Sequence, residues 1–161
     1  MIVVSNSSPL IALSIANSLD LLHALYGTIH IPKAVFHEVV VRGAGRPGAT
    51  AVANTAWIVQ QAPANQRTVA QLLSAGLDKG ESEAIVLASE LSAGLLILDE
   101  RHGRMVARQR GLPVAGTIGV LIAAKTAGMV AAIKPLLGQL SAAGFYISPL
   151  IIAHALLLAG E

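Results

Sequence analysis

Cysteine is absent from this 161-residue chain. That excludes disulfides, zinc ribbons and thiol catalysis together, and it fits a reducing cytoplasm. Aromatic residues make up 3% and charged residues 12%, against 54% hydrophobic. A core this poor in aromatics has to be built from Ala, Leu, Ile and Val, which suits parallel strands buried under helices. The hydrophobic content argues against disorder. A surplus of apolar surface favours self-association, so a homodimer is expected. The opening MIVVSNSSPLIAL lacks a basic region and is broken by polar residues and Pro9, so no signal peptide is expected. The longest late apolar run, Pro149 to Ala159, is too short to span a bilayer, so no membrane partner is expected. The formal charge of +2 permits nucleic-acid binding without arguing for it. The length suggests one domain over residues 1–161.

What is present alternates short apolar runs with helical patterns. Strands are expected at Ile2–Val4, Thr28–Ile31, Trp57–Gln60, Leu95–Leu98 and Pro113–Ala115, each short and apolar or β-branched. Ser8-Pro9 and Ser148-Pro149 have the form of a helix cap followed by proline. Pro32 opens a helix, PKAVFHEVVVR, with Glu38 in its middle. Further helices are expected at 68–74, from Asp78 to about Leu91 with Gly94 just past the end, at 101–110 closed by Gly111, from Thr117 to about Ala127, and at 131–142. This alternation predicts a three-layer α/β/α sandwich around a parallel sheet of four or five strands.

The stretch DKGESEAIVLASELSAGLLILDERHGR, Asp78 to Arg104, holds Asp78, Glu81, Glu83, Glu90, Asp99 and Glu100 in a chain with only nine acidic residues. Strand ends in such a sheet converge along one edge. Asn6 after the first strand, Glu81 or Glu83 at a helix start, and Asp99 with Glu100 after the fourth strand are candidates to meet there, and Glu38 to join them. Clustered carboxylates repel and need a cation, and an all-oxygen site suits Mg²⁺ or Mn²⁺. Structural explanations compete. Asp78 and Glu81 have the spacing of a capping box. Glu83 lies about 200° further round the helix than Glu81, so one of the two faces the cleft more easily than both. Asp99 fits the cap of the next helix as well as a ligand position, and Glu38 fits a solvated helix face. Arg101, Arg104 and Arg108 share one helix face. They read either as a ridge for a phosphate backbone or as an ordinary solvated surface. The five histidines show no ligand spacing, and GAGRPG lacks the ending of a phosphate loop.

The segments VVSNSSPLIAL, IPKAVFHEV, GLDKGESEAIVLA, LLILDERHGRMVA and GTIGVLIAAKTAG, in this order, resemble the PIN-domain family, and within it the prokaryotic branch related to VapC-type toxins. The likeness runs over nearly the whole chain, including FYISPLIIAHALLLAGE. The resemblance implies a parallel sheet of order 3-2-1-4-5. It also implies a Mg²⁺- or Mn²⁺-dependent ribonuclease, often the toxin of a toxin–antitoxin pair and usually a homodimer, with RNA and a cognate antitoxin protein as partners. The family's acidic positions fall on Asn6, Glu38, Glu83 and Asp99, with Glu81 and Glu100 adjacent. Its small hydroxyl near the first position falls on Ser8. Glu38, Glu83 and Asp99 are thereby implied as catalytic ligands. Asn6 departs from the pattern: its amide oxygen can ligate a cation but brings no charge. Two function classes follow, a metal-dependent ribonuclease and a catalytically weak or silent fold that binds RNA or a protein. A receiver-like phosphoacceptor domain ranks below both, because Asn6-Ser7-Ser8 does not supply an acidic pair.

Overall fold

A computed structural model describes residues 1–161. The elements run β1 (Val3–Ser5), α1 (Ser7–Ile15), α2 (Asp20–Tyr26), β2 (Ile29–Ile31), α3 (Lys33–Phe36), a π-helical turn (His37–Arg42), α4 (Ala49–Ala53) and β3 (Ile58–Gln60). They continue with α5 (Gln66–Ser74), α6 (Lys79–Glu90), β4 (Leu95–Ile97), α7 (Arg101–Gln109), β5 (Val114–Ala115), α8 (Thr117–Thr126), α9 (Lys134–Ala142) and α10 (Pro149–Ala159).

The five strands form one sheet of order β3-β2-β1-β4-β5, and every pairing is parallel. This is the expected order. The central strand shows why the strands read as unbroken apolar runs. Successive side chains point to opposite faces, and both faces are covered by helices. Val3 and Ile97 enter one core with Leu10, Leu13, Val120 and Leu121 from α1 and α8. Val4, Leu96 and Leu98 enter the other with Leu72, Ile85 and Leu87 from α5 and α6. Each fully buried Leu, Ile or Val contributes about 1.5–3 kcal/mol relative to exposure.

Several boundaries differ from the sequence reading, each for a physical reason. α1 begins at Ser7, with Asn6 rather than Ser8 in the cap position. Gly94 does not end α6. Ser92 takes the left-handed conformation there, with φ of 48°, and Gly94 instead makes room for Met1, whose Cγ would lie 2.3 Å from an added Cβ. Thr117 is the first residue of α8 and not its cap. α9 starts at Lys134, where the Glu161 carboxylate accepts from the N–H groups of Ile133 and Lys134. The helix after Pro32 is α-helical for only four residues before widening into the π-helical turn that carries Glu38. Such turns occur often at functional sites. The Ser148 cap is present, its hydroxyl accepting from Ile151 N–H. α10 buries only Ala155 and leaves Leu150, Ile151, Leu157 and Leu158 exposed. No single helix is long and apolar enough to cross a membrane.

Candidate functional site

Strand order reverses on either side of β1, which connects to α1 while β2 and β4 flank it. Ligands of open α/β sheets bind outside the carboxyl ends of the strands at such a point. Asn6 follows β1 directly, and its N–H donates to Ile97 O at 3.0 Å, which ties it to β4. Asn6 occupies the cap position of α1, yet its side chain makes no cap bond. The residue is 4% exposed, and its Oδ1 is buried with no donor.

That oxygen faces Gly80 in the first turn of α6. A Cβ added to Gly80 would lie 3.1 Å from Asn6 Oδ1, 3.3 Å from Glu38 Oε2 and 3.6 Å from Asp78 Oδ1. Three elements therefore bring three oxygens to one gap. Glu38 is oriented by Ser7, whose hydroxyl donates to Glu38 Oε2 at 2.8 Å. The hydroxyl contacting Glu38 is thus that of Ser7, while Ser8 lines a different cavity. Asp78, read from the sequence only as a cap, fills that role and also borders the gap: its Oδ1 accepts from Glu81 N–H at 2.8 Å.

The gap opens into a polar cleft of about 500 Å³ lined by Glu38, Asp78, Glu83, Lys33, Arg42 and Lys79, among others. Glu83 is buried and its Oε2 accepts from Ala34 N–H at 3.0 Å, pinning α3 to α6. Glu81 completes the capping box through a bond from Asp78 N–H, and its other oxygen turns toward Gly103 of α7. Burial raises the Glu81 pKa above the ordinary glutamate value, because the charged form loses hydration.

Asp99 follows β4, the strand that pairs with β1. It lines a second cavity, of about 720 Å³, with Glu100, Arg104, Ser8, Phe145 and Tyr146 among its walls. Asp99 does not cap α7. Glu100 holds that position without a cap bond, and both Asp99 oxygens accept from Thr117. Arg104 is half-buried with an unpartnered Nε. Arg101 and Arg108 are exposed.

Of the expected ligands, Glu38 and Glu83 line the polar cleft, Asp99 lines the larger cavity, and Asn6 follows β1, the strand between β2 and β4. No group of three or more His, Asp or Glu side chains is gathered to hold a metal ion. Asp99 accepts from Thr117, and one Glu83 oxygen accepts from the α3 backbone. What fits a divalent cation is a smaller set, the orphaned Asn6 Oδ1 beside Glu38 Oε2. Mg²⁺ is commonly held by one or two carboxylates with the rest of its shell from water and substrate phosphate.

The cations are free to meet a ligand. The chain has one ion pair, Lys125–Glu161 at 3.6 Å, so Lys33, Arg42, Lys79 and Arg104 face the two clefts without a carboxylate partner. A family model described as a PIN domain matches residues 2–161. No curated protein matches the chain.

Proposed function

The chain belongs to the PIN-domain family, and on that premise we propose that it hydrolyses RNA phosphodiesters at the carboxyl edge of its sheet with Mg²⁺ or Mn²⁺. The observation that carries this reading is Asn6 Oδ1, buried and without a donor, set beside Glu38 Oε2 over the gap at Gly80. A buried acceptor left alone costs about 1–3 kcal/mol, so the position is suited to a ligand that satisfies it. Asn6 and Glu38 would hold a divalent cation there, and the chemistry it would supply is charge neutralisation at a phosphoryl oxygen and a more acidic water.

The chain's own groups do the rest. Ser7 fixes the Glu38 carboxylate. Lys33, Arg42 and Lys79 line the same cleft and hold the backbone phosphates by charge. The exposed apolar residues of α10 support a homodimer; a monomer throughout the concentration range of the RNA assays, by sedimentation, removes that part of the proposal.

Incubating the protein with mixed RNA substrates in Mn²⁺ or in chelator tests the activity. Cleavage in Mn²⁺ that is lost in chelator and in Glu38→Ala is expected. Cleavage that persists in Glu38→Ala removes the assignment.

A second reading, RNA binding without turnover, is favoured by the neutral Asn6 and by the bonding of both Asp99 oxygens to Thr117. Salt-dependent RNA binding with no cleavage in Mn²⁺ selects it.

A further inference from the structure

We infer that Asp78 supplies the charge that Asn6 does not, so that the cation is held by Asn6, Glu38 and Asp78. This rests on the hydrolytic reading above and names a ligand that the resemblance does not. The three oxygens come from the end of β1, the π-helical turn and the cap of α6, and they border one gap.

Gly80 is the first sign. It lies in the first turn of α6 without a left-handed φ, so no backbone demand requires glycine there. In a helix glycine is the least favourable residue after proline. Its Cβ would crowd Asn6 Oδ1 and Glu38 Oε2, and space is what the missing side chain provides. Asn6 Oδ1 is the second and independent sign, a buried acceptor aimed at that space with no donor. Such an atom calls for a water or an ion.

Asp78 has capacity left. It is exposed on the cleft side, and its Oδ1 gives one lone pair to Glu81 N–H. A carboxylate offers about four lone-pair sites, so Oδ2 and the second pair on Oδ1 remain. Two carboxylates and an amide oxygen form a partial shell of the kind Mg²⁺ and Mn²⁺ accept, completed by water and phosphate. Asp99 accepts a bond from Thr117 on each oxygen, whereas Asp78 accepts one, on Oδ1 alone.

The probe is Mn²⁺ alone, without RNA, titrated into the full chain by calorimetry and followed by electron paramagnetic resonance. Asp78→Asn, Asp99→Asn and Gly80→Ala are compared with the wild type. Asparagine caps a helix as well as aspartate, so Asp78→Asn removes charge and keeps the start of α6; circular dichroism checks that it does. Mn²⁺ affinity is expected to fall by about tenfold or more in Asp78→Asn, because ligand charge sets affinity in such sites. It is expected to fall in Gly80→Ala, whose Cβ crowds Asn6 Oδ1 and Glu38 Oε2, and to stay within about twofold of wild type in Asp99→Asn, which is not among the three proposed ligands. Asp78→Asn binding Mn²⁺ like the wild type overturns the inference and leaves the hydrolytic reading standing. An equal loss in Asp99→Asn overturns it as well. A wild type that binds no Mn²⁺ removes both.

Discussion

Asp99 receives two hydrogen bonds from Thr117, the backbone N–H and the hydroxyl each 2.7 Å from a different carboxylate oxygen. The pair ties the end of β4 to the first turn of α8 across eighteen positions. The carboxylate also sits where the N-terminal partial charge of α8 favours it. Its contribution is therefore at least partly structural.

Thr117→Val keeps the side chain's shape and removes the hydroxyl. A hydrogen bond to a charged group contributes about 1.5–3 kcal/mol, and a loss near the lower figure is expected because Asp99 is half-exposed. Urea unfolding checks it, with an unchanged midpoint counting against the clamp. Loss of activity in an Asp99 variant is informative about chemistry only beside this stability measurement.

Asn6→Asp places a carboxylate in a site 4% exposed, near Glu38 and Asp78. In chelator this variant should be less stable than the wild type by about 3 kcal/mol, the cost of an uncompensated buried charge. Mn²⁺ should restore the loss and raise the melting temperature further than it does for the wild type, since ligand binding to the native state stabilises it. Melting curves with and without Mn²⁺ decide this. Equal Mn²⁺ responses in the two proteins argue against a cation beside residue 6.

How much of this was legible in the sequence depends on range. The Asp78–Glu81 capping box spans three residues and was readable because both partners belong to one turn. The sheet order was available through the resemblance, which rests on motifs spread along the chain. The place of Asp99 after β4 was legible, but its clamp was not, because the partner Thr117 belongs to a different helix and the intervening α7 and β5 decide whether they meet. Nor was the role of Gly80: a glycine in a helix start reads as a weak residue until the oxygens around it are known. The cap of α1 lies two residues ahead of Ser8-Pro9, which has the stronger local signature, and Asn6 holds the position without using its side chain.

RNA binding should depend on Lys33, Arg42 and Lys79, the unpaired cations of the polar cleft. Each phosphate contact on a single strand contributes about 0.7 to the slope of log affinity against log salt. Replacing all three by alanine should lower that slope by about 2. Fluorescence anisotropy at several salt concentrations in chelator measures it. An unchanged slope places the RNA path elsewhere, with the Arg104 cavity the next candidate.

The Glu161 carboxylate has its pKa lowered, chiefly by the hydrogen bond from Ile133 N–H and further by that from Lys134 N–H and by Lys125. A depressed carboxylate stabilises the folded state above its ordinary pKa of 4.5, and that contribution is lost as the pH falls through the folded value. Glu161→Gln should therefore be less stable than the wild type at neutral pH, and the two should converge in acid. Denaturation midpoints from pH 7 downward test the sign. A difference that grows toward acid contradicts it.

The π-helical turn at His37–Arg42 ties the site to the length of the chain as well as to its composition. A π turn accommodates an extra residue relative to the α-helix around it. Deleting one residue there would let the segment rewind as ordinary helix, and one residue of an α-helix is about 100° of rotation. With the residue lost ahead of Glu38, Val39 would take the place that Glu38 now holds, and the acid would turn away from Ser7 while the core loses Val39. Exposed Val41 can vary in identity at little cost, whereas the number of residues between Phe36 and Gly43 cannot.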